Sequence, residues 1–209
     1  MTSLVVISGG LSNPSSTRLL ADMLMSAATD AMGGEVEVTV VELRDVAQQL
    51  TEHLLTGFPG PELSRAIEAV ERADGLIAVT PVFSASYSGL FKTFFDVLEE
   101  GVLDAKPVLI AATAGTPRHS LVLDHALRPL FSYLHAVVLP TGVFAAADDF
   151  GDEGLERRVA RAAGELAAQL GTANDAAAGA PDAPKRRLVA DEFADPTPFA
   201  ELLRQASGG

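Results

Sequence analysis

Apolar residues fall along this chain in two alternating textures. One is the short unbroken run: Leu4, Val5, Val6 and Ile7; Leu76, Ile77, Ala78 and Val79; residues 108–112; and Val137, Val138 and Leu139. Such runs, bounded by turn formers, predict strands buried on both faces, as in a parallel sheet. Val36, Val38 and Val40 alternate with polar neighbours before Val41 and Leu43, which predicts a further strand suited to a sheet edge. The other texture repeats every three or four positions, the period of a helix with one buried stripe. It covers Leu20, Met23, Leu24, Ala27, Ala28 and Ala31, then Leu63, Ile67 and Val70, then residues 90–98, 121–134 and 152–170. Residues 44–61 read as a long connection with a helical turn through Val46, Ala47, Leu50 and Leu54. Five strands alternating with helices predict an α/β fold: a doubly wound five-stranded parallel sheet with helices on both faces.

What interrupts the first run is chemically suggestive. Ser8, Gly9 and Gly10 end the strand, and Ser12, Asn13, Pro14, Ser15, Ser16 and Thr17 precede the first helix. A strand, a glycine turn, a hydroxyl-rich loop and a helix start gather backbone N–H groups and the positive end of a helix dipole at one spot, which suits a phosphate. The same residues also read as a plain N-cap and tight turn. They form neither a G-x-G-x-x-G dinucleotide fingerprint nor a Walker loop.

Composition narrows the partners. The 209 residues carry 28 acidic against 15 basic side chains, a formal charge of −13, so nucleic acid and anionic membrane are poor partners and any phosphate site must be local. With no cysteine there is no disulfide, no thiolate nucleophile and no Cys-ligated metal. The first residues lack a signal-peptide pattern and no stretch is long enough to span a bilayer, so a soluble, cytoplasmic protein is expected. Residues 1–171 are expected to form one domain. Residues 172–209, rich in Ala, Gly, Asp and Pro at first, are expected to be a flexible linker and tail, in which Lys185, Arg186 and Arg187 are solvated and Phe193, Phe199, Leu202 and Leu203 could dock as a small helix.

In an open α/β sheet, ligands bind beyond the carboxyl ends of the strands. Three loops reach that rim: 8–17, 80–89 and 113–120. The middle one, Thr80-Pro81-Val82-Phe83-Ser84-Ala85-Ser86-Tyr87-Ser88-Gly89, mixes aromatic, small and hydroxyl residues, and suits either the edge of a flat ring or a packed loop. In the third, Ala114, Gly115 and Thr116 allow a close backbone approach to a planar ligand.

Taken together, these motifs resemble the NAD(P)H-dependent FMN reductases, which have the flavodoxin-like fold. The resemblance rests on Ser8-Gly9-Gly10-Leu11 with Ser15 and Thr17-Arg18. It continues through Thr80-Pro81-Val82-Phe83, Tyr87-Ser88-Gly89-Leu90-Phe91-Lys92, Phe95-Asp96, Gly115, His119, Ala126-Leu127-Arg128-Pro129-Leu130 and Gly142-Val143-Phe144. It runs over most of residues 3–170 and is nearest to the flavin reductases of two-component monooxygenases. The resemblance implies hydride transfer from NADPH or NADH to N5 of FMN, with no general acid or base required. It implies FMN phosphate at Ser8, Gly10, Ser12, Ser15, Ser16 and Thr17. It puts the ring edge at Pro81, Val82, Phe83, Ser84, Ala85, Ser86 and Tyr87, and the pyrimidine end at Ala114, Gly115 and Thr116. Arg118 and His119 would meet the nicotinamide nucleotide, their alternative being a surface role. The family's phosphate loop often has Gly-Ser then Leu-Arg, where this chain has Gly10 and Ser12. A hydroxyl and a cation are therefore missing, and Arg18 is placed either to replace the cation or to face solvent. Loose FMN retention would follow.

Two further expectations concern the fourth helix and assembly. Pro129 lacks an N–H and strands the carbonyl of His125, so a kink or a π-bulge is expected around His125. By the resemblance, such a wide turn lies at a subunit interface near the flavin, with a role in its release. A homodimer or homotetramer is expected, with the helix of Phe91, Phe94 and Phe95 and the 44–61 connection offering apolar contact surface, and a flavin-dependent monooxygenase as a possible partner. The competing readings are an FMN-bound quinone or azo reductase, a flavodoxin-type electron carrier, and a scaffold whose flavin site has decayed.

Overall fold

The computed structural model describes residues 1–179, with side chains as far as residue 171 in the last helix. Its strands are β1 (Thr2–Ser8), β2 (Val36–Glu42), β3 (Gly75–Phe83), β4 (Ser86–Tyr87), β5 (Pro107–Ala114), β6 (Val137–Val138) and β7 (Val143–Ala146). The sheet order is β2-β1-β3-β5-β6, all parallel, with β7 continuing β6 along the same edge of β5. From β1 the chain winds to one side, to β2, and then to the other, to β3. The crevice of a doubly wound sheet therefore opens between the carboxyl ends of β1 and β3.

Alternation along each central strand explains why the apolar runs are continuous. Val5, Ile7, Leu76, Ala78, Val108 and Ile110 point to a core closed by α2 (Ala47–Thr56), α3 (Pro61–Arg72), α4 (Gly89–Asp96) and α5 (Arg128–Tyr133). Leu4, Val6, Ile77, Val79, Leu109 and Ala111 point the other way, to α1 (Ser16–Met32) and α6 (Glu153–Gly179). Every second residue thus leaves water on each face, and neither face has room for a polar alternation. β2, paired only with β1, is the edge strand that its mixed pattern predicted.

Several expectations are corrected. Phe91, Phe94 and Phe95 are not a contact surface: they are 0%, 0% and 1% exposed and interlock with Phe131, the Phe91–Phe95 and Phe95–Phe131 ring centroids lying 4.8 and 4.9 Å apart. The helix is apolar because it is the floor of one core. Within the 44–61 connection, residues 47–56 form a complete helix, α2, rather than a single turn, and the connection does carry exposed Leu54, Leu55 and Phe58. The fifth sheet position is filled twice. Val137 and Val138 are joined there by β7, whose short Val143-Phe144-Ala145-Ala146 run lacks a strand's usual length. The last helix continues to Gly179, past its expected end near Leu170, through a stretch rich in alanine, the best helix former. The docking residues and basic triplet expected at 185–203 lie outside the described residues.

The edge between β6 and β7 is held from both sides. While β5 advances from Val108 to Ala111, its neighbour advances from Val138 to Val143, so two extra residues bulge out. The guanidinium of Arg128 donates to the carbonyls of Leu139 (3.1 Å) and Pro140 (3.2 Å). On the other flank Glu165 of α6 accepts from the Thr141 N–H (2.9 Å) and hydroxyl (2.6 Å). The Thr141 hydroxyl bond, more than any other influence, holds the Glu165 carboxyl below its ordinary pKa. Pro129 has the effect expected of it. Residues Leu123–Leu127 form a π-helical turn, and the Arg128 N–H reaches back five residues to the Leu123 carbonyl.

Candidate functional site

The first loop is built by close approach. At the end of β1 the Gly9 N–H donates to Val79 O at 2.8 Å, and a Cβ on Gly9 would press on Phe91, Val79 O and Pro81 at 3.3–3.4 Å. At Gly10 a Cβ would come within 2.2 Å of Ser15 Oγ and 3.2 Å of Thr17 Cβ, so only glycine lets the strand end fold against the helix start. Ser15 is the N-cap of α1, its hydroxyl accepting from the Arg18 N–H at 3.2 Å, and the Leu19 N–H bonds Ser15 O. That leaves the N–H groups of Ser16 and Thr17 as the donors that the helix start still offers. Thr17 and Thr113 share a buried hydroxyl–hydroxyl bond of 2.8 Å between α1 and β5, and the pair keeps one further proton to give. Ser8 Oγ is buried without a hydrogen-bond partner among the described residues.

The second loop is a hairpin. β3 runs past the sheet and pairs antiparallel with β4, Val82 opposite Tyr87 and Phe83 opposite Ser86. Only Ser84 and Ala85 separate the strands, with φ of 49° and 66°, as a type I′ turn requires. Thr80 Oγ1 accepts from the Ser88 N–H (3.1 Å) and donates to Pro81 O (2.9 Å), while the Ser88 hydroxyl caps α4 at Phe91 N. The hairpin is therefore tied at its base and projects over the rim. Tyr87 leans on Phe91, with ring centroids 6.1 Å apart.

Two hollows flank this hairpin. One, of about 340 Å³, lies at the switch point and gathers Leu11, Ser12, Ser15, Ser16 and Thr17 from the first loop, Pro81, Val82 and Phe83 from the second, and Thr113, Ala114 and Gly115 from the third. The other, of about 320 Å³, lies beyond the hairpin and joins Ala85 and Ser86 to Arg118, His119, Leu121, Val122, His125 and Ala126. Of the residues expected at a site, Ser8 and Gly10 lie buried beneath the first hollow, while Ser84 and Tyr87 lie on the hairpin outside both linings. Thr116 stands exposed before the short 3₁₀ turn Pro117–His119. A Cβ on Gly115 would meet nothing, so the rim there is open.

Sequence reasoning did not single out Thr113, Leu11 or Arg44 here. Thr113 reads as the first residue of the 113–120 loop at the rim, but nothing local marks its bond to Thr17, 96 residues away. Arg44 had no signal, because its contact spans 32 residues: its Nη1 donates to the Ser12 carbonyl at 3.0 Å. Arg18, by contrast, is taken up by carboxylates at the loop's margin, its Nε on Asp22 Oδ1 at 2.8 Å and its Nη1 on Glu42 Oε1. These bonds, led by that to Asp22, raise the guanidinium pKa and keep it charged. Among the described residues there is no His, Asp and Glu cluster fit for a metal.

The residues present fit a phosphorylated, flat ligand. The donors of the first loop suit a phosphate, the hairpin backbone and Phe83 border a slot for a ring, and the glycine rim leaves that slot open. A doubly wound sheet in the order 2-1-3-4-5 with such loops defines the flavodoxin-like class of flavin proteins. Comparison with known proteins goes further. The profile of the NADPH-dependent FMN reductase family matches residues 2–151, and the chain belongs to that family of oxidoreductases. It is 41% identical over 173 residues to an NADH-dependent FMN reductase, SfnF, of Pseudomonas fluorescens, covering 80% of this chain and 91% of that one. It is also 41% identical over 171 residues to an FMN reductase (NADPH) of Pseudomonas aeruginosa, covering 79% and 90%. Among solved structures, an oxidoreductase from Corynebacterium diphtheriae superposes with a TM-score of 0.80 at 49% identity, over 82% of this chain and 98% of that one. An archaeal flavodoxin at 14% identity and TM-score 0.58 shares the fold alone.

Proposed function

We propose that this chain transfers a hydride from NADPH or NADH to N5 of FMN and passes the reduced flavin to a partner monooxygenase. Bound FMN supplies the electron-accepting ring; the protein supplies binding, alignment and exclusion of water. Ser12, Ser15, Ser16 and Thr17, with the N–H groups of the helix start, hold the phosphate. The backbone of Pro81–Tyr87 meets the ring edge, and Ala114, Gly115 and Thr116 border its pyrimidine end, where N–H groups favour negative charge near N1. Arg118 and His119, joined by His125 from the π-helical turn, line the second hollow with groups suited to the phosphates of a nicotinamide nucleotide. The π-helical turn touches the hairpin's hollow through His125 and Ala126, which supports a role for it in releasing the flavin.

The observation that carries this reading is that three loops, distant in sequence, converge on one hollow at the switch point. Turnover of the purified chain with each nicotinamide and with FMN, FAD and riboflavin tests it. Steady NAD(P)H oxidation that depends on added FMN is expected. Oxidation that ignores free flavin but responds to quinone or azo dye would contradict it.

A further inference from the structure

Beside the first loop stand two arginines, and both are spoken for. Arg18 lies between Asp22 and Glu42, with Nε on Asp22 Oδ1 at 2.8 Å and Nη1 on Glu42 Oε1. Arg44 reaches Glu42 Oε2 and Asp45 Oδ1, each at 3.5 Å from Nε, while its Nη1 holds the Ser12 carbonyl. One carboxylate is common to both. Glu42 ends β2, in register with Ser8 at the end of β1, so its backbone is fixed directly beside the point where the loop begins. Its side chain is only 12% exposed, against 35% and 31% for the arginines, so the more water-shielded partner is the anion. Two guanidiniums face three carboxylates, and the local balance is negative.

We infer that Glu42 sets how tightly this chain retains a flavin phosphate, by holding Arg18 and Arg44 neutralised at the margin of the phosphate loop. The inference rests on the proposed placement of FMN with its phosphate at residues 12–17. A phosphate dianion arriving there meets hydrogen-bond donors, while the two arginines beside the loop are already committed to carboxylates. Two cations stand within the same network: Arg18 is hydrogen-bonded to Glu42, and Arg44 is ion-paired with it at 3.5 Å, where the buried Oε2 has no hydrogen-bond partner among the described residues. The consequence is a site that recognises the phosphate by geometry and releases it readily, as a reductase that exports its flavin needs. Removing the negative charge of Glu42 while keeping its shape would leave two guanidiniums facing only Asp22 and Asp45, so that the local balance is no longer negative and the Arg18 Nη1 that Glu42 holds is freed for an arriving phosphate. Riboflavin, which lacks that group, would not respond.

The test is a titration of the purified full chain with FMN and with riboflavin, read by quenching of flavin fluorescence. Glu42→Gln is expected to tighten FMN about tenfold, with a steeper salt dependence, and to leave riboflavin within about twofold. FMN affinity that is unchanged or weaker, or an equal change for both flavins, would overturn the inference. Arg18→Met, at a half-exposed position, gives a second reading should the Glu42 variant fold poorly. Because Arg18 is already engaged, FMN affinity is expected to stay within about twofold of the parent. A selective loss of FMN of about tenfold would mean that Arg18 already serves the phosphate, and would overturn the inference. A parent chain that quenches neither flavin would defeat the FMN reading itself, a result distinct from a parent that binds FMN and variants that do not separate.

Discussion

Ser15 does two jobs at the point where β1 becomes α1. Its hydroxyl caps the helix at Arg18 N, and it packs into the space that Gly10 leaves by having no Cβ. Ser15→Ala is therefore expected to cost about 1 kcal/mol of stability through the lost cap, and to weaken FMN binding more than riboflavin binding. Thermal unfolding and paired flavin titrations measure the two effects separately. Equal weakening of both flavins would place the phosphate elsewhere. At this scale the sequence was readable where chemistry is local: a glycine pair, an N-cap and a helix start lie within ten residues. It was unreadable where partners come from afar. Arg18 could as well have faced the phosphate or solvent; what decides its direction is Asp22, one turn on along α1, together with Glu42 from β2, and only the first of these lies close by in sequence.

The bulge between β6 and β7 depends on a carboxylate. Glu165 ties Thr141 to α6, and its folded pKa is lowered below the ordinary 4.5 chiefly by the Thr141 hydroxyl. A lowered carboxylate pKa stabilises the fold fully above about 4.5 and is lost as pH falls through the folded value. Glu165→Gln should thus cost about 1 kcal/mol at neutral pH, and the gap from the parent should close in acid. Denaturant melts at pH 7 and below pH 4 check this; a gap that widens in acid would contradict it. The central strands and a break in the fourth helix could be foreseen, the first because both faces are buried, the second because Pro129 has no N–H to give; that the break is a π-helical turn and not a plain kink could not. β7 and the β3–β4 hairpin could not. β7 is four residues long beside a bulge, and the hairpin turns on Ser84 and Ala85, neither of which advertises a positive φ.

At the scale of the molecule, the core leaves some large apolar side chains exposed among the described residues. We propose a homodimer or homotetramer that uses Leu55 and Phe58, which are 83% and 80% exposed at the end of α2 and beyond it. Light scattering should find a multiple of the chain mass, and replacing both residues by serine should shift it towards the monomer; a parent that runs as a monomer would refute the assembly. With a charge of −13 the chain repels anions in general, so phosphate recognition depends on local backbone donors such as those gathered at the rim. A crystal structure of the chain with FMN tests the proposed placement of the flavin at that rim most directly. The phosphate is expected against Ser12, Ser15, Ser16 and Thr17, with the ring along the hairpin toward Gly115. A flavin bound elsewhere, or turned so that its phosphate leaves the start of α1, would contradict it.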